Sequence, residues 1–410
     1  MDRSTLTTPV TRRQVLAGGA LTSLAAFLAA CGTKGTATDA PATEAPATEA
    51  PVASNGATPA PATDGPAATP SAELNFANWS YYIDIAGDDT SKHPSIDGFT
   101  SLFGTTVHYQ EVIEGNEDFV ATIKDALNTG KDTGWDIVTL TDWMAARLIR
   151  LGWIEAFNPA NVPNLVANIK DVYKDVDWDP NVAHHAPWRS GLTGLGFDSE
   201  VTGDLTSLAA LFVPGDGTTG KVEYLTEMRD AVGLAMLYLG LEPAKPDRAG
   251  CDAAIALMQK AKEDGVVRDV KGQSYTEDLK SGDAAVAMAW SGDMVQAQID
   301  KASLKFVLAD EGGMLWTDNM MIPKGAAHTG TAELLINYYY DPEVSAMVSA
   351  SVDYISPVNG SDALLPAEKK DSPLINPPAE WTPRIHIFGA LSEEDEAYFN
   401  EQFAKVIGVG

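Results

Sequence analysis

Short apolar segments alternate with helical patterns along most of this chain, and this alternation restricts the fold more than any other feature. The predicted strands are Glu73–Trp79, Thr106–Glu111, Asp136–Leu140, Gly194–Phe197, Val222–Leu225, Ala284–Trp290 and Leu304–Leu308. The predicted helices are Glu117–Asn128, Asp142–Leu151, Thr226–Leu239, Cys251–Lys262, Ser291–Lys301, Thr331–Tyr340 and Pro342–Ser351. Such alternation indicates an α/β protein with mostly parallel sheets flanked by helices. Because the region from Leu74 to Gly410 is longer than a single core usually serves, we expect two lobes.

The beginning of the chain has the features of an export signal. Arg12 and Arg13 precede the apolar run Val15–Ala30, and a basic start followed by a short apolar core is typical of a secretory signal peptide. The run is shorter than the ~20 residues that a membrane-spanning helix needs. The arginine pair resembles a twin-arginine signal, although general export signals are also basic at the start. We therefore predict a signal peptide over residues 1–30.

The segment Leu28-Ala29-Ala30-Cys31 matches the bacterial lipobox, in which the cysteine becomes the lipidated first residue of the mature chain. The alternative is a plain export signal followed by a chance cysteine. Residues 31–72 consist mostly of Ala, Thr and Pro and have little to bury, which predicts a disordered tether. We expect an exported protein that is lipid-anchored at the outer face of the cytoplasmic membrane, in the periplasmic space, without spanning the membrane.

The net charge of −29, from 57 acidic and 28 basic residues, argues against nucleic acid and anionic lipid surfaces as partners, because both attract basic patches. This charge suits a cationic ligand, which a negative cleft attracts. The alternative is that an acidic surface keeps an exported protein soluble. The two cysteines are Cys31 and Cys251. If Cys31 is modified, no disulfide can form within the chain, and Cys251 is expected to be a small buried apolar residue.

Aromatic and acidic side chains follow several of the predicted strands. In α/β proteins, ligands bind beyond the carboxyl ends of the strands, on the first residues of the following loops. These positions hold Trp79, Tyr82, Trp143, Glu227, Asp230 and Trp290, and a later stretch holds Trp316 and Asp318. Aromatic faces attract organic cations by about 0.5–2 kcal/mol each, and carboxylates form charge-assisted hydrogen bonds with ammonium groups. A flexible alkyl diamine or triamine needs both kinds of contact, so the sequence predicts a slot for an organic amine.

Four segments, in this order, resemble the bacterial spermidine/putrescine periplasmic binding proteins of ABC transporters: Asn78–Tyr82, Asp136–Val138, Ala287–Gly292 and Glu311–Asp318. The similarity extends over Leu74–Gly410. It implies a two-lobed, type II-like periplasmic-binding-protein fold, in which each lobe is a mostly parallel sheet flanked by helices and a hinge joins the lobes. Lobe 1 would comprise residues 73–196 and 317–359, and lobe 2 residues 197–316 and 360–410. The resemblance also implies a monomer that captures a polyamine and delivers it to ABC permease subunits.

The resemblance further assigns roles to aromatic residues. It implies that Trp79 and Tyr82 wall the cleft from the first lobe. Trp290 and Trp316 would stack on the methylene chain of the ligand, and Tyr354 would close the slot.

For the acids, the resemblance places Asp318 at the family's main amine-binding carboxylate, and Glu227 and Asp230 match an acidic pair on the first turn of a helix. Their i, i+3 spacing puts both carboxylates on one helix face, where the helix N-terminus favours the ionised form. Two departures concern which polyamine is preferred. Trp143 stands where the family usually has a pocket Tyr, and a late glutamine of the family is replaced around Trp381-Thr382.

Each of these residues also has a structural interpretation. A Trp at a strand end is often part of the core, so Trp290 and Trp316 can also pack beneath the cleft, and first-turn acids such as Glu227 and Asp230 often complement the helix dipole. The alternative functions are a binding protein for another solute (a different cationic amine, an amino-acid derivative or a sugar) and a surface sensor lipoprotein.

The sequence contains no recognisable catalytic or metal site. Gly215–Lys221 has the spacing of a P-loop, but Val222 stands where Ser or Thr is needed and the stretch precedes a strand. The aspartates at 175, 177 and 179 have calcium-loop spacing without the Gly and Glu that such a loop needs. His184 and His185 are adjacent and would point to opposite faces of a strand. We therefore expect no cofactor, no metal and no enzymatic activity.

Overall fold

The computed structural model describes residues 68–87, 89–174 and 176–408. The predicted signal peptide, the lipidation site Cys31 and most of the predicted tether (31–72) lie outside the described residues. The strands are β1 (Glu73–Trp79), β2 (Thr106–Ile113), β3 (Ile137–Thr141), β4 (Ala186–Asp198), β5 (Val222–Leu225), β6 (Val267–Lys271), β7 (Val286–Trp290), β8 (Leu304–Val307), β9 (Gly313–Met321) and β10 (Ile385–His386).

Helices flank these strands. The α-helices are α1 (Pro94–Phe103), α2 (Asn116–Thr129), α3 (Asp142–Arg150), α4 (Pro163–Asn168), α5 (Ser199–Thr202), α6 (Ala209–Phe212), α7 (Met228–Tyr238), α8 (Arg248–Glu263), α9 (Tyr275–Ser281), α10 (Ser291–Asp300), α11 (Thr329–Tyr339), α12 (Pro342–Val352), α13 (Ala367–Lys370) and α14 (Glu393–Ile407). Short 3₁₀ helices cover Asp171–Tyr173, Pro180–Val182, Asp362–Leu364 and Ala379–Arg384.

The strands form one sheet with the order β2-β1-β3-β9-β4-β7-β5-β6, to which β8 adds beside β4 and β10 beside β9. In the first half β1 pairs in parallel with β2 and β3, and in the second half β5 pairs in parallel with β6 and β7. The long strands β4 and β9 between them are antiparallel to each other, to β3 and to β7. The predicted parallel pairing therefore applies to the outer strands of each half, while two antiparallel strands run through the centre.

Most predicted elements are present with bounds shifted by a few residues, and β1 and β5 begin and end where they were predicted. The strand predicted at Gly194–Phe197 is only the second half of β4, and every residue of β4 is buried. The sequence patterns did not predict the helices α1, α4, α5, α6, α9, α13 and α14 or the strands β6, β9 and β10. These additions matter for the site, because β9 carries Trp316 and Asp318 into the centre of the sheet.

The C-terminal helix α14 is a clear amphipathic helix. Ser392 caps its first turn, where Ser392 Oγ accepts a hydrogen bond from the Asp395 backbone N–H at 3.1 Å. Phe399, Phe403 and Val406 are buried at helical spacing, and they pack α14 against α7 and α8 in the second half of the molecule. The helix ends at Gly408 in the left-handed conformation. This packing holds the first turn of α14 beside the cleft described below.

The predicted lobe boundaries at 196/197 and 316/317 fall inside β4 and β9, the two strands that connect the halves of the sheet. Within the stretch 360–410, α14 packs on the second half of the molecule. Leu365 and Ile375 instead pack against Ala346 of α12, which is in the predicted first lobe. The assignment of residues to lobes stays a prediction.

None of the described helices is long and apolar enough to cross a membrane. Within the described ranges, no group of three or more His, Cys, Asp or Glu side chains could hold a metal ion. The prediction that His184 and His185 point to opposite faces of a strand is wrong. Both precede β4, and a ring nitrogen of each lies within hydrogen-bond distance of the Asp179 carboxylate, at 2.8 and 2.6 Å.

Candidate functional site

One cleft brings together all nine residues that were predicted for the ligand site. Its volume is about 290 Å³, and both halves of the sheet contribute to its walls. The nine residues are Trp79, Tyr82, Trp143, Glu227, Asp230, Trp290, Trp316, Asp318 and Tyr354. Trp79 and Trp290 end β1 and β7, and Glu227 directly precedes α7. The strand-end rule therefore located the cleft, although contact of these residues with a ligand stays a prediction.

Three aromatic rings form a cage inside the cleft. The ring centroids of Tyr82 and Tyr354 are 5.1 Å apart, those of Trp316 and Tyr354 are 5.3 Å apart, and those of Tyr82 and Trp316 are 6.4 Å apart. We call Tyr82, Trp316 and Tyr354 the ring cage. Gly191 of β4 lies directly behind it: a Cβ atom at this position would be 2.5 Å from Trp316 Cζ2 and 2.6 Å from Tyr354 Cε1. The absence of a side chain at Gly191 is therefore a condition for the cage.

A second ring pair lies beside the cage. The Trp79 and Trp290 rings meet edge to face with centroids 6.2 Å apart. Trp79 Nε1 donates to the Thr139 carbonyl oxygen at 3.0 Å, which fixes this ring from β3. Both rings are nearly buried in the described protein, so Trp79 and Trp290 support the cleft wall as well as lining it.

Asp318 is 4% exposed and lies on β9 opposite Thr141 of β3. Thr141 Oγ1 donates to Asp318 Oδ1 at 2.8 Å. Burial raises the pKa of Asp318 well above its usual value, and the nearby acids Asp142 and Glu227 raise it further, while the Thr141 hydrogen bond acts in the opposite direction. The buried Tyr82 hydroxyl lies beside the same carboxylate and also lowers its pKa. A cationic group here would pair with the carboxylate and offset the cost of burying its charge.

Asp230 is held by two donors on the wall of the cleft. Thr193 Oγ1 donates to Asp230 Oδ1 at 2.8 Å, and Trp290 Nε1 donates to Asp230 Oδ2 at 3.1 Å. Thr193 also accepts a hydrogen bond from Trp316 Nε1 at 3.0 Å. Burial raises the pKa of Asp230 to about 6, partly offset by these donors. Asp230 therefore orients Trp290 directly, and through Thr193 it is linked to Trp316.

Asp293 lines the same cleft, although it was not among the predicted site residues. Its carboxylate accepts hydrogen bonds from Gln273 Nε2 at 3.0 Å, from Tyr354 Oη at 3.1 Å and from Tyr275 Oη at 3.3 Å. Burial raises its pKa to about 6, and the three donors lower it. The signal was present in the sequence, because Asp293 lies on the first turn of the helix that follows Trp290. Asp293 and Asp318 thus approach the ring cage from its Tyr354 side and its Tyr82 side.

Glu227 and Asp142 both lie near Asp318. Glu227 Oε1 accepts the Asn116 backbone N–H at 3.0 Å, and Asp142 Oδ1 accepts the Thr317 backbone N–H at 3.3 Å. Burial raises the pKa of both carboxyl groups to about 7 despite these hydrogen bonds. The helix N-terminus was expected to favour the ionised form of Glu227 and Asp230, but burial outweighs that contribution, and the pKa values of both are raised in the protein without a bound cation.

Trp143 lines the cleft, but its ring is already covered. The Arg229 guanidinium carbon lies 3.8 Å from the ring centroid of Trp143. Arg229 was not predicted as a site residue. The family's late glutamine was predicted to be replaced around Trp381-Thr382, but neither of these two residues is among the described residues that line the cleft. A different glutamine, Gln273, does line it.

Comparison with known proteins places these observations in a family. The sequence profile described as bacterial extracellular solute-binding protein matches residues 95–377. The chain is 26% identical over 298 residues to spermidine/putrescine-binding periplasmic protein 1 of Haemophilus influenzae, which covers 71% of this chain and 79% of that protein. It is 26% identical over 356 residues to the putrescine-binding periplasmic protein SpuD of Pseudomonas aeruginosa, with 83% and 93% covered.

A solved structure shows the same fold. The spermidine/putrescine ABC transporter substrate-binding protein PotD from Streptococcus pneumoniae superposes with a TM-score of 0.66 at 20% identity, covering 83% of this chain and 99% of that chain. The predicted two-lobed α/β fold is confirmed.

Proposed function

We propose that this chain, which belongs to the family of bacterial extracellular solute-binding proteins, captures a polyamine such as spermidine or putrescine in its interlobe cleft and delivers it to the permease of an ABC transporter. The observation that carries this proposal is the ring cage of Tyr82, Trp316 and Tyr354 with Asp318 and Asp293 on its two sides. The methylenes of an alkyl amine fit against rings, and its ammonium groups fit the carboxylates. The site thus has a binding role, and we propose no enzymatic activity for it.

In the mechanism that we propose, ligand binding and lobe closure are coupled. Residues of both halves line the cleft, so a bound amine bridges them. Closure excludes water from the ammonium–carboxylate contacts and strengthens them. The closed form is then presented to the permease.

Titration calorimetry against four solutes tests the proposed ligand: putrescine, spermidine, glutamate and glucose. We expect one-site binding of at least one of the two amines at micromolar concentration or tighter, and no heat from the amino acid or the sugar. Binding of glutamate or glucose with neither amine bound would replace the proposal with the corresponding solute.

The raised carboxyl pKa values predict a pH dependence of amine binding. In the protein without ligand, burial raises the pKa of Asp142 and Glu227 to about 7 and that of Asp230 and Asp293 to about 6. An ammonium group binds the ionised form, so we expect full affinity near pH 8 and at least a tenfold loss by about pH 5. Titration in two buffers of different ionisation enthalpy should show proton release on binding near pH 6.5. An affinity that does not change between these pH values contradicts the role of these acids.

The same pKa shifts change the stability of the protein without ligand in the opposite direction: the affinity for the amine rises with pH, whereas this stability falls. Because the folded-state pKa values lie above those of the unfolded chain, these groups stabilise the protein at low pH, and this contribution is lost as the pH rises through about 6 to 7. The increase in melting temperature caused by putrescine should therefore be larger near pH 8 than near pH 5.

We also propose that the protein acts as a monomer held to the membrane only by a lipid on Cys31, after removal of the signal peptide. The support is the lipobox sequence and the Ala/Thr/Pro-rich segment that follows it. Replacing Cys31 with Ala should abolish the incorporation of a labelled fatty acid into the protein. Incorporation of the label into the Cys31→Ala variant would contradict lipid anchoring at this residue.

A further inference from the structure

The Trp143 end of the cleft contains a cation that the protein itself provides. The Arg229 guanidinium carbon lies 3.8 Å from the centroid of the Trp143 ring, which is van der Waals contact with the ring face. Arg229 Nη2 also forms an ion pair with Glu396 Oε1 at 2.7 Å, and each of these two side chains is only 11% exposed. Arg229 and Glu396 belong to α7 and α14, whereas Trp143 belongs to α3. The guanidinium is therefore held on the ring from the opposite side of the cleft.

The Trp143 end of the cleft has an aromatic ring and carboxylates, the groups that bind an amine. Besides the ring of Trp143 it offers the carboxylates of Asp142 and Glu227, which line the same cleft. Burial raises the pKa of both acids, and the positive charge of Arg229 acts in the opposite direction on each. Arg229 thus occupies the position of a cation between a ring and two acids.

The ring cage differs from the Trp143 end because no described Lys or Arg occupies it. Asp293 receives hydrogen bonds from Gln273, Tyr275 and Tyr354, and Asp318 receives one from Thr141. Among the described residues, neither Asp293 nor Asp318 forms an ion pair with a Lys or Arg. No described Lys or Arg lies over the rings of the cage either. The cage with its two acids therefore has two carboxylates for a ligand with two ammonium groups.

We propose that Arg229 is a specificity-determining residue, which ends the ligand slot at Trp143 and so favours a diamine over a triamine. The third ammonium group of a triamine needs a further acid. The other acids of the cleft, Asp142, Glu227 and Asp230, are those on which the positive charge of Arg229 acts. Arg229 also covers the Trp143 ring beside them. To use that end, the triamine has to displace a guanidinium that is stacked and ion-paired. Discrimination of this kind depends on an element that opposes the wrong ligand, not only on contacts to the right one.

This inference rests on the proposed function, and one set of titrations separates the two. Putrescine and spermidine are titrated into the wild-type protein and into the Arg229→Ala variant. In the variant, we expect the affinity ratio of spermidine to putrescine to increase at least fivefold. If the wild type binds either amine and the ratio changes less than this, the role of Arg229 is overturned and the proposed function stands. If the wild type binds neither amine, the proposed function fails, and the inference fails with it.

Two further variants control the experiment. Arg150→Ala also removes a positive charge beside the cleft and breaks a contact with α14, because Arg150 Nε lies 3.3 Å from Glu393 Oε1, but Arg150 does not cover Trp143. It should affect both amines alike, and an equal change of the ratio in this variant overturns the proposal. The double variant Arg229→Ala/Glu396→Gln removes the carboxylate that Arg229→Ala leaves unpaired. If Arg229→Ala alone does not fold, the fivefold criterion applies to the double variant.

Discussion

Replacing Asp318 with Asn should weaken amine binding at least tenfold, which corresponds to a loss of about 1.4 kcal/mol or more. Asp318 is almost fully buried beside Tyr82 and the ring cage, so an ammonium group that reaches it exchanges water for a carboxylate in a poorly solvated site. The amide keeps the shape and can still accept the hydrogen bond from Thr141 Oγ1. It loses the charge and places a donor beside the ligand's donors. Titration calorimetry with putrescine and spermidine measures the effect.

The Asp318→Asn variant should fold at least as well as the wild type without ligand. Burial raises the pKa of Asp318 strongly, so the ionised carboxylate is unfavourable in the free protein near pH 8 and its removal should maintain or raise the melting temperature. A matched control is Asp136→Asn, which is also buried but binds His328 and the Asn75 backbone N–H outside the cleft. It should lower stability and leave the affinity within about twofold. Unchanged binding by Asp318→Asn would place the amine site elsewhere.

Replacing Gly191 with Ala should also weaken amine binding at least tenfold, by a steric route. A Cβ atom at Gly191 would lie 2.5 Å from the Trp316 ring and 2.6 Å from the Tyr354 ring, distances that neither ring can tolerate. Because the backbone around Gly191 is held by β9 on one side and, through Ser190, by Ile355 on the other, the rings have to move, and the space open to them is the cleft. Overpacking of this kind costs about 1–3 kcal/mol of stability.

Gly194→Ala provides the matched control on the same strand. A Cβ atom at Gly194 would meet the Val307 carbonyl oxygen at 2.7 Å and the Phe306 ring at 2.9 Å, and neither residue lines the cleft. Both variants should lose stability in thermal unfolding, but only Gly191→Ala should lose affinity. A folded Gly191→Ala variant with wild-type affinity would contradict the role of the ring cage.

The sequence was sufficient to predict part of the cleft, because several of its aromatic and acidic residues follow strands. Trp79, Trp290 and Glu227 are at or just after the ends of β1, β7 and β5, where topology alone brings them together. Trp316 and Asp318 do not obey this rule, since they lie inside β9. They were identified only through the resemblance to a known family.

Residues that act through tertiary contacts were harder to predict. Arg229 and Glu396 are far apart in the sequence. No local pattern indicates that they form an ion pair or that Arg229 stacks on the ring of Trp143. Asp293 was visible beside Trp290, but its three donors come from two other segments: Gln273 and Tyr275 at the beginning of α9, and Tyr354 after α12. The degree of burial was also not predictable, and burial raises the pKa of Glu227 and Asp230 although both lie at the beginning of a helix.

The long strand β4 shows a corresponding limit for the fold. Its first half contains Pro187, Arg189 and Gly191, residues that do not suggest a strand. Both faces of β4 are covered, so it lacks the alternation of apolar and polar residues that marks a half-exposed strand. Only its last part, Gly194–Phe197, was recognisable.

A crystal structure with putrescine bound tests the central claim most directly. We predict that one ammonium nitrogen lies within hydrogen-bond distance of the Asp318 carboxylate and that the methylene chain lies between the rings of Tyr82, Trp316 and Tyr354. The other ammonium nitrogen should reach Asp293, with Arg229 still stacked on Trp143. A diamine found outside the ring cage, or bound without contact to either acid, would contradict the account.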